Sequence, residues 1–374
     1  MAVRSIVLSC LMLLAISGCA NKGPPPVSDR QAALSGAIQV INTWQQSADF
    51  SQPRDLSPLY TQAAILKNSG SSGNNDRLGT AALFYLGEIE FAITAAEKRA
   101  NGKIDRALGQ EALTNLDIVL ARNEDIPEWR VTVAEANYAA GGTVSALDGP
   151  TELAQRYWNA CAKLGHPGCV NNVASILLDK PAPSDDNIRN ALDLHAQVVA
   201  TGTRALCAGQ FSAETMAKLM HFTGIRRPGD DEVKLLDAAQ AFYRQLQESS
   251  HAKDPCDGGR IGVDQYMMQL DRGEQHESLL DEVQRISDSE PWRLIAGYLQ
   301  GKVSETQFAG KIASTKTGWA CQLHFYAAWK ATQNSERQIA QAHYQALLKL
   351  PADSDCQFET LLMRRYLNMP AASG

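Results

Sequence analysis

The sequence predicts an all-α fold, an α/α solenoid of stacked helical hairpins. Three observations carry this: apolar residues recur at helical spacing almost throughout, alternating strand patterns are scarce, and a helix–glycine turn–helix unit recurs at a fixed offset. In that offset Ala154 aligns with Ala191, Ala160 with Gln197 and Gly165 with Gly202, while Cys169 falls one residue before the counterpart of Cys207.

The first segment is not part of the fold. Arg4 is followed by an apolar run from Ile6 to Ile16, too brief for a bilayer span of about 20 residues, so residues 1–18 read as a cleaved signal. The ending Leu14-Ala-Ile-Ser-Gly-Cys19 resembles the lipobox of bacterial lipoproteins. That resemblance implies lipidation of Cys19, with acyl chains such as palmitate on its sulfur and amine. Burying them at about 0.8 kcal/mol per methylene makes a lasting membrane anchor. The sorting rule of enteric lipoproteins, with no Asp at position 20, further implies the outer membrane, facing the periplasm. Residues 19–30, with Pro24, Pro25 and Pro26, are expected to form an extended tether. Beyond residue 18 no stretch is expected to be long and apolar enough to cross a membrane.

The helical domain is expected over residues 31–369. Ala81, Ala82, Phe84, Tyr85, Ile89, Ala92 and Ile93 form one stripe of a helix that ends at Asn101-Gly102. A second helix covers 111–123, and a third starts at Pro127 and is expected to stop at Gly141-Gly142. The repeat is best defined over about 150–215 and echoes over about 292–368. From Tyr157 to Cys169 is the same distance as from Tyr344 to Cys356, and Cys256 lies at nearly that distance beyond Tyr243, so a cysteine tends to open the second helix of a pair.

Ala154, Tyr157, Ala160, Gly165, Ala174 and Leu177 resemble the pattern of the Sel1-like and tetratricopeptide repeat families. With Cys161 and Cys169 flanking the turn, the chain is most similar to the cysteine-rich Sel1-like proteins of bacterial envelopes. The resemblance implies stacked hairpins with a concave groove.

Six cysteines remain after Cys10 and Cys19: Cys161, Cys169, Cys207, Cys256, Cys321 and Cys356. An even number in an oxidising compartment argues for disulfides. A short turn between antiparallel helices can bring Cys161 and Cys169 within the roughly 4.4–6.8 Å between Cα atoms that a disulfide needs. Cys321 and Cys356 are expected to bridge successive repeats, which leaves Cys207 for Cys256; other connectivities stay open beyond the first pair.

Metal chemistry is not expected, since no histidine has ligand spacing and C-x-x-C is absent. His166 reads as a solvated loop residue. No cofactor is implied. The formal net charge of −6 becomes one unit more negative without Arg4, so the chain repels nucleic acid.

Ser250-His-Ala-Lys253 and Lys316-Thr317-Gly318 copy fragments of penicillin-recognising enzymes, but both fall in polar turns and no S-x-N lies between them. Residues 70–75 read as a flexible loop, and Asp230, Asp231 and Glu232 as an acidic first helical turn rather than a calcium loop. Trp158, Trp292, Trp319, Tyr326 and Trp329 are expected mostly to fill gaps between helices. The expectation is a protein without catalytic residues. It would be a lipid-anchored periplasmic scaffold that docks envelope proteins or peptides in its groove, as part of a secretion or cell-wall assembly. The alternative implied by the resemblance is a penicillin- or peptidoglycan-interacting protein, weakly hydrolytic.

Overall fold

The computed structural model describes residues 27–46, 55–69, 75–123, 126–180, 182–202, 206–248, 258–274, 276–287, 289–314, 317–351 and 356–367. The signal, Cys19 and the three prolines lie outside the described residues. Among the described residues the fold is all-α, with no strand. The stretch expected as one domain divides into two compact units, the first ending at Ala160 and the second beginning at Cys161.

Unit one contains α1 (Val27–Gln46), α2 (Ser57–Asn68), α3 (Arg77–Asn101), α4 (Arg106–Asn123) and, after a 3-10 turn at Pro127–Trp129, α5 (Arg130–Ala146); α6 (Thr151–Lys163) starts here. Of the tether expected over 19–30, Val27 to Arg30 are helical. Arg30 then forks both guanidinium nitrogens onto Asp76, at 2.9 and 2.7 Å. Asp76 also caps α3 by accepting from the Gly79 N–H, and the Arg30 hydrogen bond holds its carboxyl below the usual range.

The centre of unit one is α3. One face (Ala82, Leu86, Ile89, Ile93) packs on Ala37 and Ile41 of α1 and Leu59 and Leu66 of α2. Another face, Leu83 and Phe84, packs on Leu116 and Val119 of α4 and Ala136 and Ala140 of α5. A helix clad on two faces must be apolar on both. This corrects the expectation that no later stretch reaches membrane-spanning length: Arg77–Lys98 does so by length and composition, but 78% of its apolar window is buried inside the protein. As foreseen, it ends at Gly102 in the left-handed conformation (φ +66°).

Gly141 and Gly142 do not stop α5, which runs on to Ala146. They are sites of close approach. A Cβ at Gly142 would lie 2.6 Å from the Phe91 ring, and one at Gly141 would overlap the Trp158 indole.

Unit two takes the last turn of α6 and then α7 (Pro167–Leu178), α8 (Asp185–Ala200), α9 (Leu206–Thr223), α10 (Glu232–Glu248), α11 (Gly258–Asp271), α12 (Glu277–Ile286), α13 (Glu290–Leu299), α14 (Glu305–Ser314), α15 (Thr317–Gln333), α16 (Arg337–Lys349) and α17 (Gln357–Tyr366). The aligned glycines Gly165 and Gly202 both adopt positive φ, +82° and +61°, at the ends of α6 and α8. The repeat frame therefore placed these turns correctly. A capping box at Ser184 and Asn187 starts α8. Asp231 accepts from the Val233 and Lys234 N–H groups at the start of α10, so the acidic run caps a helix as expected.

Neighbouring helices pair in sequence order, α7 with α8, α8 with α9, α9 with α10 and α15 with α16. Additional packing joins distant parts: α17 lies against α7, α9, α15 and α16. Arg365 of α17 pairs with Asp185 of α8 at 2.7 Å. Enclosed by α7, α8, α10, α11 and α17, α9 buries Met216, Ala217, Leu219, Met220 and Phe222. Trp292, Tyr326 and Trp329 are core residues, as the helical spacing suggested.

Candidate functional site

Two of the expected disulfides are present. Cys161, in the last turn of α6, bonds Cys169, in the first turn of α7, with Cα atoms 5.9 Å apart. Cys321 bonds Cys356 with Cα atoms 5.4 Å apart, joining the early turns of α15 to the N-terminus of α17. Cys207, second residue of α9, is disulfide-bonded as well; Cys256, the partner expected for it, lies outside the described residues.

His166 is not a solvated loop residue. It occupies the N-cap of α7, where Nδ1 accepts the Cys169 N–H at 3.3 Å. Extended backbone at this position turns the ring back onto the Cys169 N–H, which also reaches the His166 carbonyl at 3.1 Å.

The most highly charged interior site was not foreseen. Glu214 and Lys218 sit one turn apart on α9, Arg260 and Asp264 one turn apart on α11. Glu214 pairs with Arg260, and Lys218 with Asp264 at 3.3 Å. Pairing in the same order requires the two helices to run in the same direction, as alternate members of an up-and-down series do. Tyr326 of α15 donates to Asp264 Oδ1 at 2.7 Å, and the Arg260 guanidinium lies 5.1 Å from the Phe211 ring centroid.

Burial pushes the Glu214 carboxyl up despite Arg260, and burial with Asp264 drives the Tyr326 hydroxyl well above 10, so Tyr326 remains a donor. Only Arg260 reaches solvent appreciably, its side chain being 27% exposed against 4% for Lys218 and 0% for Asp264. Glu214, Lys218 and Asp264 are closed off from solvent by the surrounding helices. Their chemistry is to hold three helices in register.

Asp271, at the end of α11, is a second hub. It accepts from His221 Nε2 at 2.6 Å, Trp329 Nε1 at 3.3 Å, the Tyr366 hydroxyl at 3.2 Å and Gln333. It ties α9, α11, α15 and α17 together. The buried His195 bonds Ser212, and burial lowers its ring to about 4, so it is a neutral core histidine.

Unit one also buries a carboxylate network. Lys67 lies 2.8 Å from Glu90 and 2.8 Å from Glu111, and Asn115 donates to Glu90 at 2.9 Å. Burial raises the Glu90 carboxyl from 4.5 to about 7, against the pull of Lys67. The folded chain then keeps a proton that the unfolded chain releases. The associated stability is full below pH 4.5 and is lost as pH rises through about 7. Glu90→Gln is expected to flatten this slope, worth up to about 3 kcal/mol. Urea midpoints of both proteins between pH 4.5 and 8 provide the check.

On α15 and α16, His324 Nδ1 and His343 Nδ1 approach to 3.0 Å, and His343 Nε2 lies 3.6 Å from Glu305. Among the described residues no group of three or more His, Cys, Asp or Glu side chains converges on a metal position. Of the penicillin-like fragments, Ser250, Lys253 and Lys316 lie outside the described residues, whereas Thr317 and Gly318 open α15 and so belong to a helix, not a strand.

Signals for the unforeseen residues were present but indistinct. Opposite charges four apart at 214/218 and 260/264 look like ordinary surface pairs until the surrounding helices are known. Comparison with known proteins adds no identity: no family model, curated protein or solved structure matches this chain.

Proposed function

We propose that this chain is a non-catalytic, lipid-anchored scaffold of a bacterial envelope, held at the outer membrane through Cys19 and facing the periplasm. Its helical pairs would be an α/α solenoid of the Sel1-like and tetratricopeptide kind, whose concave side docks envelope proteins or peptides of a secretion or cell-wall assembly. The observation that supports this best is covalent: the cysteines of the helical pairs are oxidised across a turn and between helix starts, which suits an oxidising compartment. Compatible with it, the ionic groups on α9 and α11 are consumed by contacts within the fold. Ile126, Val131 and Tyr138 are exposed in unit one, the last two on one face of α5.

The test combines the anchor and the docking surface. Metabolic palmitate labelling should mark the chain, and Cys19→Ala should release it from the membrane fraction. Envelope partners crosslinked to the wild type should be lost with Val131→Asp and Tyr138→Asp together while the melting transition is retained. Covalent labelling by a fluorescent penicillin that disappears in Ser250→Ala would overturn the proposal in favour of an acyl-enzyme.

A further inference from the structure

We infer that His324 and His343 form a paired-imidazole site for a divalent first-row transition metal, copper(II) above others, with water completing the coordination. The pair sits where α15 and α16 run side by side, joined by a turn at Ser335 (φ +62°). Both rings are half-buried and lie with centroids 5.3 Å apart.

The tautomers follow from the partners. Glu305 Oε1 lies 3.6 Å from His343 Nε2, and its negative charge favours the ring proton on that nitrogen over Nδ1. Tyr298 donates to the other oxygen of Glu305 at 2.5 Å and so fixes the carboxylate. A carboxylate behind one ring nitrogen, with the opposite nitrogen bare, is the outer shell that orients and strengthens a histidine ligand. His343 Nδ1 lies 3.0 Å from His324 Nδ1, a contact made attractive by one proton, or one metal ion, shared between the two nitrogens.

Geometry favours one group of metals. Bonds of about 2.0–2.1 Å that span this gap meet at about 91–97°, near the cis angle of a tetragonal site, whereas a tetrahedral angle would need about 3.3 Å between the nitrogens. Tetragonal nitrogen and oxygen coordination suits copper(II) and nickel(II), and the Irving–Williams order places copper(II) first.

The surroundings keep the ligands ready. The packing of α15 against α16 holds both rings in place. The cation that faces this cluster is Lys330, which bonds the Tyr298 carbonyl and lies 3.9 Å from the Tyr298 ring centroid. Glu305 and Glu336 oppose its charge.

The experiment is titration of the chelator-treated full chain, without an affinity tag, with copper(II) alone. Electron paramagnetic resonance and calorimetry supply the readouts. A tetragonal signal with coupling to two imidazole nitrogens is expected, lost in His324→Gln and in His343→Gln and kept in the control His276→Gln. Glu305→Gln should retain the coupling and weaken affinity by about 10–100-fold. Thermal melting of each variant separates loss of ligand from loss of fold. The inference is overturned if His324→Gln keeps the two-nitrogen coupling. It is equally overturned if the wild type binds copper(II) no more tightly than a folded His324→Gln, His343→Gln double variant, which would leave the two rings sharing a proton.

Discussion

Asp264→Ala is expected to destabilise unit two by about 3–5 kcal/mol, the usual cost of stranding one member of a buried ion pair. Lys218, with a side chain only 4% exposed, would lose its counter-charge, and Tyr326 would lose its acceptor. Tyr326→Phe removes the hydroxyl that donates to Asp264 and accepts from Lys218 at 3.4 Å, and should cost about 1.5–3 kcal/mol. The informative variant replaces both partners, Lys218→Met with Asp264→Leu. A pair converted together to apolar residues is often neutral or stabilising by about 1–4 kcal/mol, because neither charge is then taken out of water. Urea midpoints of the three proteins make the comparison. A double variant as unstable as Asp264→Ala would assign the loss to packing rather than to charge.

Opening the Cys321–Cys356 bridge should be the second large effect. The closed loop spans a sequence separation of 35, against 8 for Cys161–Cys169. The loop-entropy relation gives about 4 kcal/mol for the longer loop and about 2.5 kcal/mol for the shorter. Paired serine substitutions at 321 and 356 should therefore lower the melting temperature more than the same change at 161 and 169. Melting curves recorded with and without reductant check the order, and a reversed order would mean that the longer bridge does not restrict the unfolded chain as its loop length implies.

Sequence pattern revealed whatever depends on the chain's own geometry. The stripe on α3, the left-handed turns at Gly165 and Gly202 and the short link between Cys161 and Cys169 are all set by residues close in sequence. It misled where one residue type serves two purposes. Gly141 and Gly142 look like a helix end, yet they admit the rings of Trp158 and Phe91 to the surface of α5, because a missing Cβ serves a turn and a close approach equally. His166 in a polar turn gave no sign of capping α7. Most opaque was the network at Glu214, Lys218, Arg260 and Asp264. Its burial depends on how many helices enclose α9, and local spacing carries no information about that.

The position of α17 sets an order of events. Leu361, Leu362 and Met363 complete an interior that begins with α7 and α9, so a segment made late supplies a wall for helices made far earlier. A nascent chain halted before Gln357 would expose those helices with nothing to cover them. Termination before Gln357 should yield material for proteolysis rather than a shortened working protein.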